Sequence, residues 1–311
     1  MTSSLAIVIP AYKPDFLDQT LSSLAKQTDK RFSVYIGNDA SPFDLDSIVL
    51  KYQSEFPIKY YVFPNNIGGG DLVAHWRRCI QLVGDEHWIC VFSDDDIMQP
   101  KVIESFYRSS IPNNIDVVHF DIDLIDEQDC VIQRCPGFPR LLDDASFFDA
   151  LFRRKIVARM PEFFFRRSFL ERKGLVKFDL AWRSDTATVL WAAQSGGIFT
   201  LSEGDNCKIL WRASSKNISG KEILKTRKNR ASVDFFNWVH AQGLRIKMTK
   251  FYLLKTIVFS LEYENIYYFL RDSFYALRKL HYAENNRMIL LLLLLLCLYR
   301  IPYHWMEIHR K

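Results

Sequence analysis

The chain has 311 residues, 49% hydrophobic, with 24 Phe, 14 Tyr and 7 Trp but only 11 Pro and 12 Gly, a composition that supplies a packed core and excludes disordered and fibrous chains. No period of about 20 to 50 residues recurs, which excludes a solenoid. The net charge of +5 is uneven: from residue 216 onward 17 Lys and Arg face 7 Asp and Glu, while before it 24 face 29, so the first part suits carboxylate chemistry and the second an anionic surface.

In chain order, Leu5 to Ile9 is a β-rich apolar run closed by Pro10, which predicts a buried strand. Phe16, Leu17, Leu21 and Leu24 then line one face of a helix opened by Pro14-Asp15. A second strand spans Phe32 to Ile36 and stops at Gly37-Asn38-Asp39. A helix over Leu45 to Phe56, a third strand over Ile58 to Phe63 and a glycine loop, Asn65 to Gly70, follow. A helix from Asp71 to about Val83 leads to a fourth strand, Trp88 to Phe92, with Asp94-Asp95-Asp96 at its carboxyl end. This alternation predicts an α/β fold with a mainly parallel sheet, in which ligands sit outside the carboxyl ends of the strands. Further on, Asp116 to Leu124 alternates as one half-buried strand, a Phe-rich stretch covers Phe147 to Phe169, and Ser184-Asp185 opens a helix reaching Gln194.

Three polar clusters fall at the predicted strand ends: Asn38-Asp39, Asn65 to Gly70, and Asp94 to Asp96. Adjacent carboxylates suit a hard divalent cation, Mg²⁺ or Mn²⁺, or else form a solvated loop in which Asp96 caps the next helix. Asp39 either accepts hydrogen bonds from a nucleobase or ribose, or belongs to an Asx turn with Asn38. Arg77 and Arg78 reach phosphates or lie on a solvated helix face. Asp185 is either a first-turn aspartate or a general base for an acceptor hydroxyl. The six cysteines have no metal-ligand spacing, and no signal-peptide pattern opens the chain, so reduced thiols in the cytoplasm are expected.

Taken together, these residues resemble an inverting family 2 glycosyltransferase of the GT-A fold, of the bacterial surface-polysaccharide type, from about Leu5 to Gly220. The matching segments are Val8-Ile9-Pro10-Ala11-Tyr12, Ile36 to Ser41, Asn65-Asn66-Ile67-Gly68, and Phe92 to Asp96 with Pro100. Phe164 to Ser168, Gly174, Phe178-Asp179, Ser184-Asp185 with Leu190-Trp191 and Gly196-Gly197, then Leu210-Trp211-Arg212 and Asn217-Ile218-Ser219, continue the match. The resemblance implies nucleotide-sugar binding by Pro10, Ala11, Tyr12, Asp39, Asn66, Gly68, Arg78 and Asp94. It implies a divalent metal, Mn²⁺ or Mg²⁺, on Asp95 and Asp94, with Asp185 as catalytic base and Arg166, Trp182 and Ser184 on the acceptor side. Residues 1–100 then form the nucleotide-sugar half, 101–215 the acceptor half, and 216–311 a basic, aromatic helical appendage. Three departures stand out: Ser184 where an acidic residue often precedes the base, Lys13 in place of a frequent asparagine, and Ser214 in place of a histidine.

In the appendage, seven leucines, Leu290 to Leu296, lie between Arg287 and Arg300. The apolar run, Met288 to Tyr299, is short for a hydrocarbon core of about 30 Å, and the basic and aromatic flanks suit a helix lying in an anionic headgroup layer. Phe251 to Leu270 adds a second such segment. Packing on the catalytic domain or in a dimer is the competing reading. The expected partners are a nucleotide-sugar donor, UDP-linked by preference, and a glycan or lipid-linked oligosaccharide acceptor at the inner membrane face. Nucleic acid is not among them. A nucleotidyltransferase, which would need a glycine-rich phosphate loop after the first strand, and a non-catalytic nucleotide-sugar-binding protein are the alternatives.

Overall fold

The computed structural model describes residues 4–202, 204–214, 217 and 222–243. Residues 1–220 form one compact unit and 221–311 a second. The Leu290–Leu296 run and the Phe251–Leu270 segment lie outside the described residues.

The first unit begins as the hydrophobic pattern dictates: β1 (Leu5–Ala11), α1 (Leu17–Ala25), β2 (Phe32–Asn38), α2 (Asp46–Leu50), β3 (Ile58–Val62), α3 (Leu72–Ile80) and β4 (Trp88–Val91). The four strands are parallel, in spatial order β3-β2-β1-β4. β1 and β4 are sheathed on both faces, which is why they read as continuous apolar runs rather than alternating ones. Leu5, Ile7, Val34, Ile36, Phe92 and Phe164 are fully buried in one core, each worth roughly 1.5–3 kcal/mol of hydrophobic stabilisation.

Several boundaries differ from the sequence expectation, and two of them have a local reason. β1 runs past Pro10 to Ala11 because β4 pairs with it only as far as Val8, so the side lacking the Pro10 N–H needs no ladder bond there. The helix expected to reach Phe56 ends at Leu50 and continues as turns. Phe56 precedes Pro57, which disfavours helical backbone, and its ring sits 5.4 Å from Phe32 in the core.

Beyond β4 come β5 (Ile97–Met98), α4 (Val102–Arg108), β6 (Val117–His119), β7 (Ile122–Ile125), β8 (Val131–Arg134), β9 (Leu141–Leu142), α5 (Asp144–Phe152), β10 (Phe163–Arg166), α6 (Arg167–Lys173), α7 (Ser184–Ala193), β11 (Ile198–Thr200) and β12 (Ile209–Arg212). An eight-stranded sheet runs β3-β2-β1-β4-β10-β6-β11-β9, and a four-stranded sheet runs β5-β12-β7-β8. The single strand expected over Asp116 to Leu124 is therefore two strands in different sheets. The chain changes sheet at Phe120-Asp121, where the Phe120 N–H donates to Glu162 O (2.9 Å) and the Asp121 N–H to Ser202 Oγ (2.5 Å). In the second unit, α8 (Lys225–Ala241) carries the buried Phe235 and Phe236.

Candidate active site

The carboxyl ends of β1, β2 and β4 meet in a hydrogen-bonded corner. The Asp39 N–H donates to Ala11 O (2.9 Å), and Asp94 Oδ2 accepts from the N–H groups of Tyr12 (3.0 Å) and Lys13 (3.2 Å). Pro10, Ala11, Tyr12, Asp39 and Asp94 are thus brought together. Asn38 makes the Asx turn: its Oδ1 accepts from the Ser41 N–H at 2.8 Å, and its Nδ2 donates to Tyr60 Oη at 2.7 Å.

With that turn made by its neighbour, Asp39 serves the glycine loop. Its two carboxylate oxygens accept from the N–H groups of Ile67 (3.0 Å) and Gly68 (2.8 Å), and Arg78 forms an ion pair with it. A Cβ on Gly68 would lie 2.6 Å from Asp39 Oδ2, so this approach requires glycine. Arg78 is further held by Phe63, whose ring centroid lies 3.9 Å from Cζ, and its Nε donates to His75 Nδ1 at 3.0 Å. That bond needs an unprotonated Nδ1. Burial, opposed by Asp39 and reinforced by Arg78, lowers the His75 pKa to about 4, which keeps the ring neutral. Asn66 accepts the Gly69 N–H at 3.3 Å from the exposed side of the same loop.

The three adjacent aspartates divide their work. Asp94 is taken by the β1 exit, and Asp96 accepts the Arg212 N–H at 2.8 Å, tying β12 to the end of β4. Asp96 therefore does not cap α4, whose N-cap is Lys101. Asp95 has no side-chain hydrogen bond among the described residues. Burial raises its pKa well above the carboxylate range, and the charges of Asp96 and Asp94 raise it further. Hard divalent cations take one or two carboxylates and let substrate phosphates complete the set. Asp95 flanked by Asp94 fits that demand, and the buried Oδ2 of Asp96 beside them has no hydrogen bond. No group of three metal-ligating side chains converges among the described residues, so the fit is to a site that phosphate completes.

One residue that sequence reasoning quoted without a role holds this loop in place. Arg212 is fully buried at the end of β12. Its Nε donates to Asp95 O (2.8 Å), its Nη1 to Asp126 O (2.7 Å), and its guanidinium lies 4.3 Å from the Phe16 ring centroid.

Asp185 stands in the first turn of α7, its Oδ1 accepting the Thr186 N–H at 2.6 Å. Trp182 lies in the loop before it, with the Arg183 Cζ 5.7 Å from its ring. Two residues expected on the acceptor side have their polar atoms engaged within the fold. Ser184 is fully buried, and its Oγ accepts the Phe178 N–H at 3.0 Å, so it fixes the loop. Arg166 pairs in register with Trp88, the first residue of β4, at the opposite end of the strand from Asp94. Its Nε donates to Ile115 O (2.9 Å), and its Cζ sits 4.6 Å over the Trp88 ring.

A polar cluster close to Asp185 carries no signal in the sequence. Glu162 and His119 are fully buried, with Glu162 Oε1 3.4 Å from His119 Nε2 and neither Glu162 oxygen hydrogen-bonded. Burial pushes the Glu162 pKa well up, overriding Arg159 and aided by Asp185, and burial lowers His119 to about 3. Burial thus disfavours the charged form of each, carboxylate and imidazolium alike. Arg159 lies over the Trp211 ring, 4.8 Å from its centroid, beside Arg212 on β12. The carboxylate corner and the Asp185 region thus meet across that strand.

A family model described as "Glycosyl transferase family 2" matches residues 6–172, more than half of the chain. An uncharacterized glycosyltransferase of Mycoplasma genitalium is 25% identical over 122 residues, which cover 38% of this chain and 40% of that relative. Among solved structures, S. aureus TarS (residues 1–349) in complex with UDP-GlcNAc has a TM-score of 0.65 at 15% identity, over 90% of this chain and 81% of that one. Mannosyltransferase PcManGT from Pyrobaculum calidifontis, in complex with GDP-Man and Mn²⁺, scores 0.53 at 11% identity, over 96% and 87%. GalNAc-T7 with UDP, GalNAc and Mn²⁺ scores 0.57 at 12% identity, over 92% and 58%. These likenesses establish the GT-A type α/β fold.

Proposed function

Because the chain belongs to glycosyl transferase family 2, we propose that it moves a sugar, with inversion, from a nucleoside-diphosphate sugar to a hydroxyl of a glycan acceptor. The observation that carries the reading is the corner itself: Asp39 and Asp94 are spent on ordering backbone at the strand ends, and Asp95 is left uncommitted beside them. The Asp39–Gly68–Arg78 assembly binds the nucleoside end, and Asp94 with Asp95 would hold a Mn²⁺ or Mg²⁺ ion. Such an ion supplies charge neutralisation for the diphosphate leaving group.

Asp185 takes the proton from the acceptor hydroxyl as that oxygen attacks the anomeric carbon. The bond from that carbon to the diphosphate oxygen breaks, and the nucleoside diphosphate leaves on the opposite face. Arg212 keeps the Asp95 backbone in place through the step, a positioning role.

A UDP-sugar is the favoured donor, supported by the fold shared with TarS, which was solved with UDP-GlcNAc. A lipid-linked acceptor in surface-polysaccharide synthesis, at the inner membrane face, is supported by the basic, leucine-rich sequence after residue 216. Among the described residues no helix is long and apolar enough to cross a membrane. The nucleotidyltransferase alternative is disfavoured because the Tyr12 and Lys13 N–H groups are directed at Asp94 rather than held out for phosphate. The test is a panel of nucleotide sugars screened for nucleoside diphosphate release with Mn²⁺, with Mg²⁺ and with chelator. Release dependent on metal and enhanced by a glycan acceptor is expected; tight donor binding with no release from any donor would make the protein a non-catalytic binder.

A further inference from the structure

Building on the glycosyl-transfer reading, we infer that the acceptor carries an oxyanion, a phosphate or carboxylate, next to the hydroxyl that is glycosylated, and that Arg159 and Arg183 receive it. Both residues are half-buried; Arg183 is close enough to Asp185 and to Arg159 to feel their charges, and Arg159 Nη1 donates to Ala158 O at 2.8 Å. Each is steered by aromatic faces: Arg159 by Trp211 at 4.8 Å, Arg183 by Phe152 at 5.0 Å and Trp182 at 5.7 Å. The Nε of each is buried without a hydrogen bond. Among the described residues no carboxylate comes within 4.0 Å of either guanidinium. By contrast, Arg78, Arg166 and Arg212 each meet a carboxylate within that distance.

The surroundings do not neutralise the pair. Glu162 is close enough to feel Arg159, but burial disfavours its charged form and it makes no ion pair with Arg159 within 4.0 Å. Asp185 favours the charge on Arg183, while Arg159 opposes it. Two guanidiniums that repel each other, with unused donors and aromatic supports, are complementary to a third, anionic group that accepts bidentate hydrogen bonds. The backbone is also specialised here. Leu180, Ala181 and Arg183 all have positive φ (58°, 54° and 69°), a left-handed conformation that non-glycine residues keep only when their surroundings impose it. This loop delivers the Arg183 side chain two residues before Asp185, so an anion held there lies next to the hydroxyl facing the base.

The oxyanion has two sources, the diphosphate of a lipid carrier or a charged group on the glycan, and the test separates them. With the donor identified by the panel, the full chain is assayed on a methyl glycoside, its 6-phosphate, the matching uronate, and the same sugar on an isoprenyl diphosphate. Charged acceptors should exceed the neutral glycoside at least tenfold in kcat/KM. Activity restricted to the isoprenyl diphosphate places the oxyanion in the lipid link, and activity on the soluble 6-phosphate or uronate places it on the glycan. Arg183→Gln and Arg159→Gln should each raise the KM of the charged acceptor by about ten- to a hundredfold, as expected for a lost charge-assisted hydrogen bond. They should move kcat and the donor KM much less, and Arg183→Lys should recover part of the loss.

Independently of turnover, inorganic phosphate titrated in chelator should bind wild-type protein and lose affinity in the double Gln variant, with circular dichroism confirming that the variant is folded. Equal use of neutral and charged acceptors by wild type, or phosphate binding unchanged in the double variant, would overturn the inference. Absence of donor turnover under every condition, with phosphate binding that needs both arginines, would remove the transfer reading and leave the anion site standing.

Discussion

Replacing Arg212 with methionine probes the link between the two sheets and the carboxylate loop. The substitution keeps much of the apolar stem but deletes the donors to Asp95 O and Asp126 O, at 2.8 and 2.7 Å. Leaving a buried carbonyl without its donor costs about 1–3 kcal/mol. Both residues are partly exposed, so water recovers some of the loss, and the pair together should cost about 2–4 kcal/mol. The Asp129 contact, 2.5 Å from Nη2, adds little because Asp129 is 47% exposed. For a compact unit of this size, 2–4 kcal/mol corresponds to a Tm drop of roughly 5–12 °C. Thermal unfolding followed by circular dichroism reads that shift, and donor titration with and without Mn²⁺ reads the positioning role. Arg212→Met should weaken metal-dependent donor binding about tenfold, because the Asp95 backbone loses its anchor. Arg212→Lys, which keeps the charge and one donor, should fall between. A variant melting within 1 °C of wild type (about the error of such a scan) would refute the bookkeeping, since it requires both carbonyls to be satisfied without the guanidinium.

Asp185→Asn should abolish transfer while donor affinity stays near wild type, measured by steady-state turnover alongside calorimetry; wild-type-like turnover removes Asp185 as base. Asp95→Ala should lose metal-dependent donor binding, and calorimetry showing unchanged affinity would count against the ion site. Gly68→Ala forces a Cβ to within 2.6 Å of Asp39 Oδ2, so the loop must shift and the donor KM should rise with little change in kcat. For His75, the folded pKa of about 4 lies below the unfolded value near 6.5, so the unfolded chain binds the extra proton between those limits. Its contribution to stability is complete above pH 6.5 and is lost as pH falls towards 4. A Tm–pH profile should decline over that window and flatten in His75→Gln.

What could be read from the sequence follows from how local each signal is. The apolar runs of β1, β2 and β4 and the aspartates after them were legible, because central parallel strands are uniformly hydrophobic and their carboxyl ends are polar by topology. The sheet exchange at Phe120-Asp121 was not, since the apolar–polar alternation of the sequence runs on to Leu124 while the pairing partners change. Arg166 and Ser184 sit in segments expected on the acceptor side, yet their side chains turn inward to Ile115 O and to the Phe178 N–H. Arg212 illustrates the converse. A cation after an apolar strand reads as a surface residue, and only the convergence of Asp95, Asp126 and Asp129 from two other segments makes its burial tolerable. Glu162 and His119 were silent for the same reason: each is unremarkable in its own segment, and the pairing exists only once β6 and β10 lie side by side.

Of the five passages the chain makes between the sheets among the described residues, those from β6 to β7 and from β11 to β12 run side by side. β6 pairs with β11 in parallel, and β7 pairs with β12 in the same sense. The joint is therefore a two-ply strap rather than a single thread. Bending it would shear two ladders at once, so the sheets resist twisting against each other much as a laminated strip resists a load that folds one layer easily. The Asp94–Asp96 loop is tied to one end of this strap through Arg212 on β12, while α7 with Asp185 packs against the β6–β11 end. Any motion that alters the spacing between these two aspartate-bearing segments must therefore deform both ladders together.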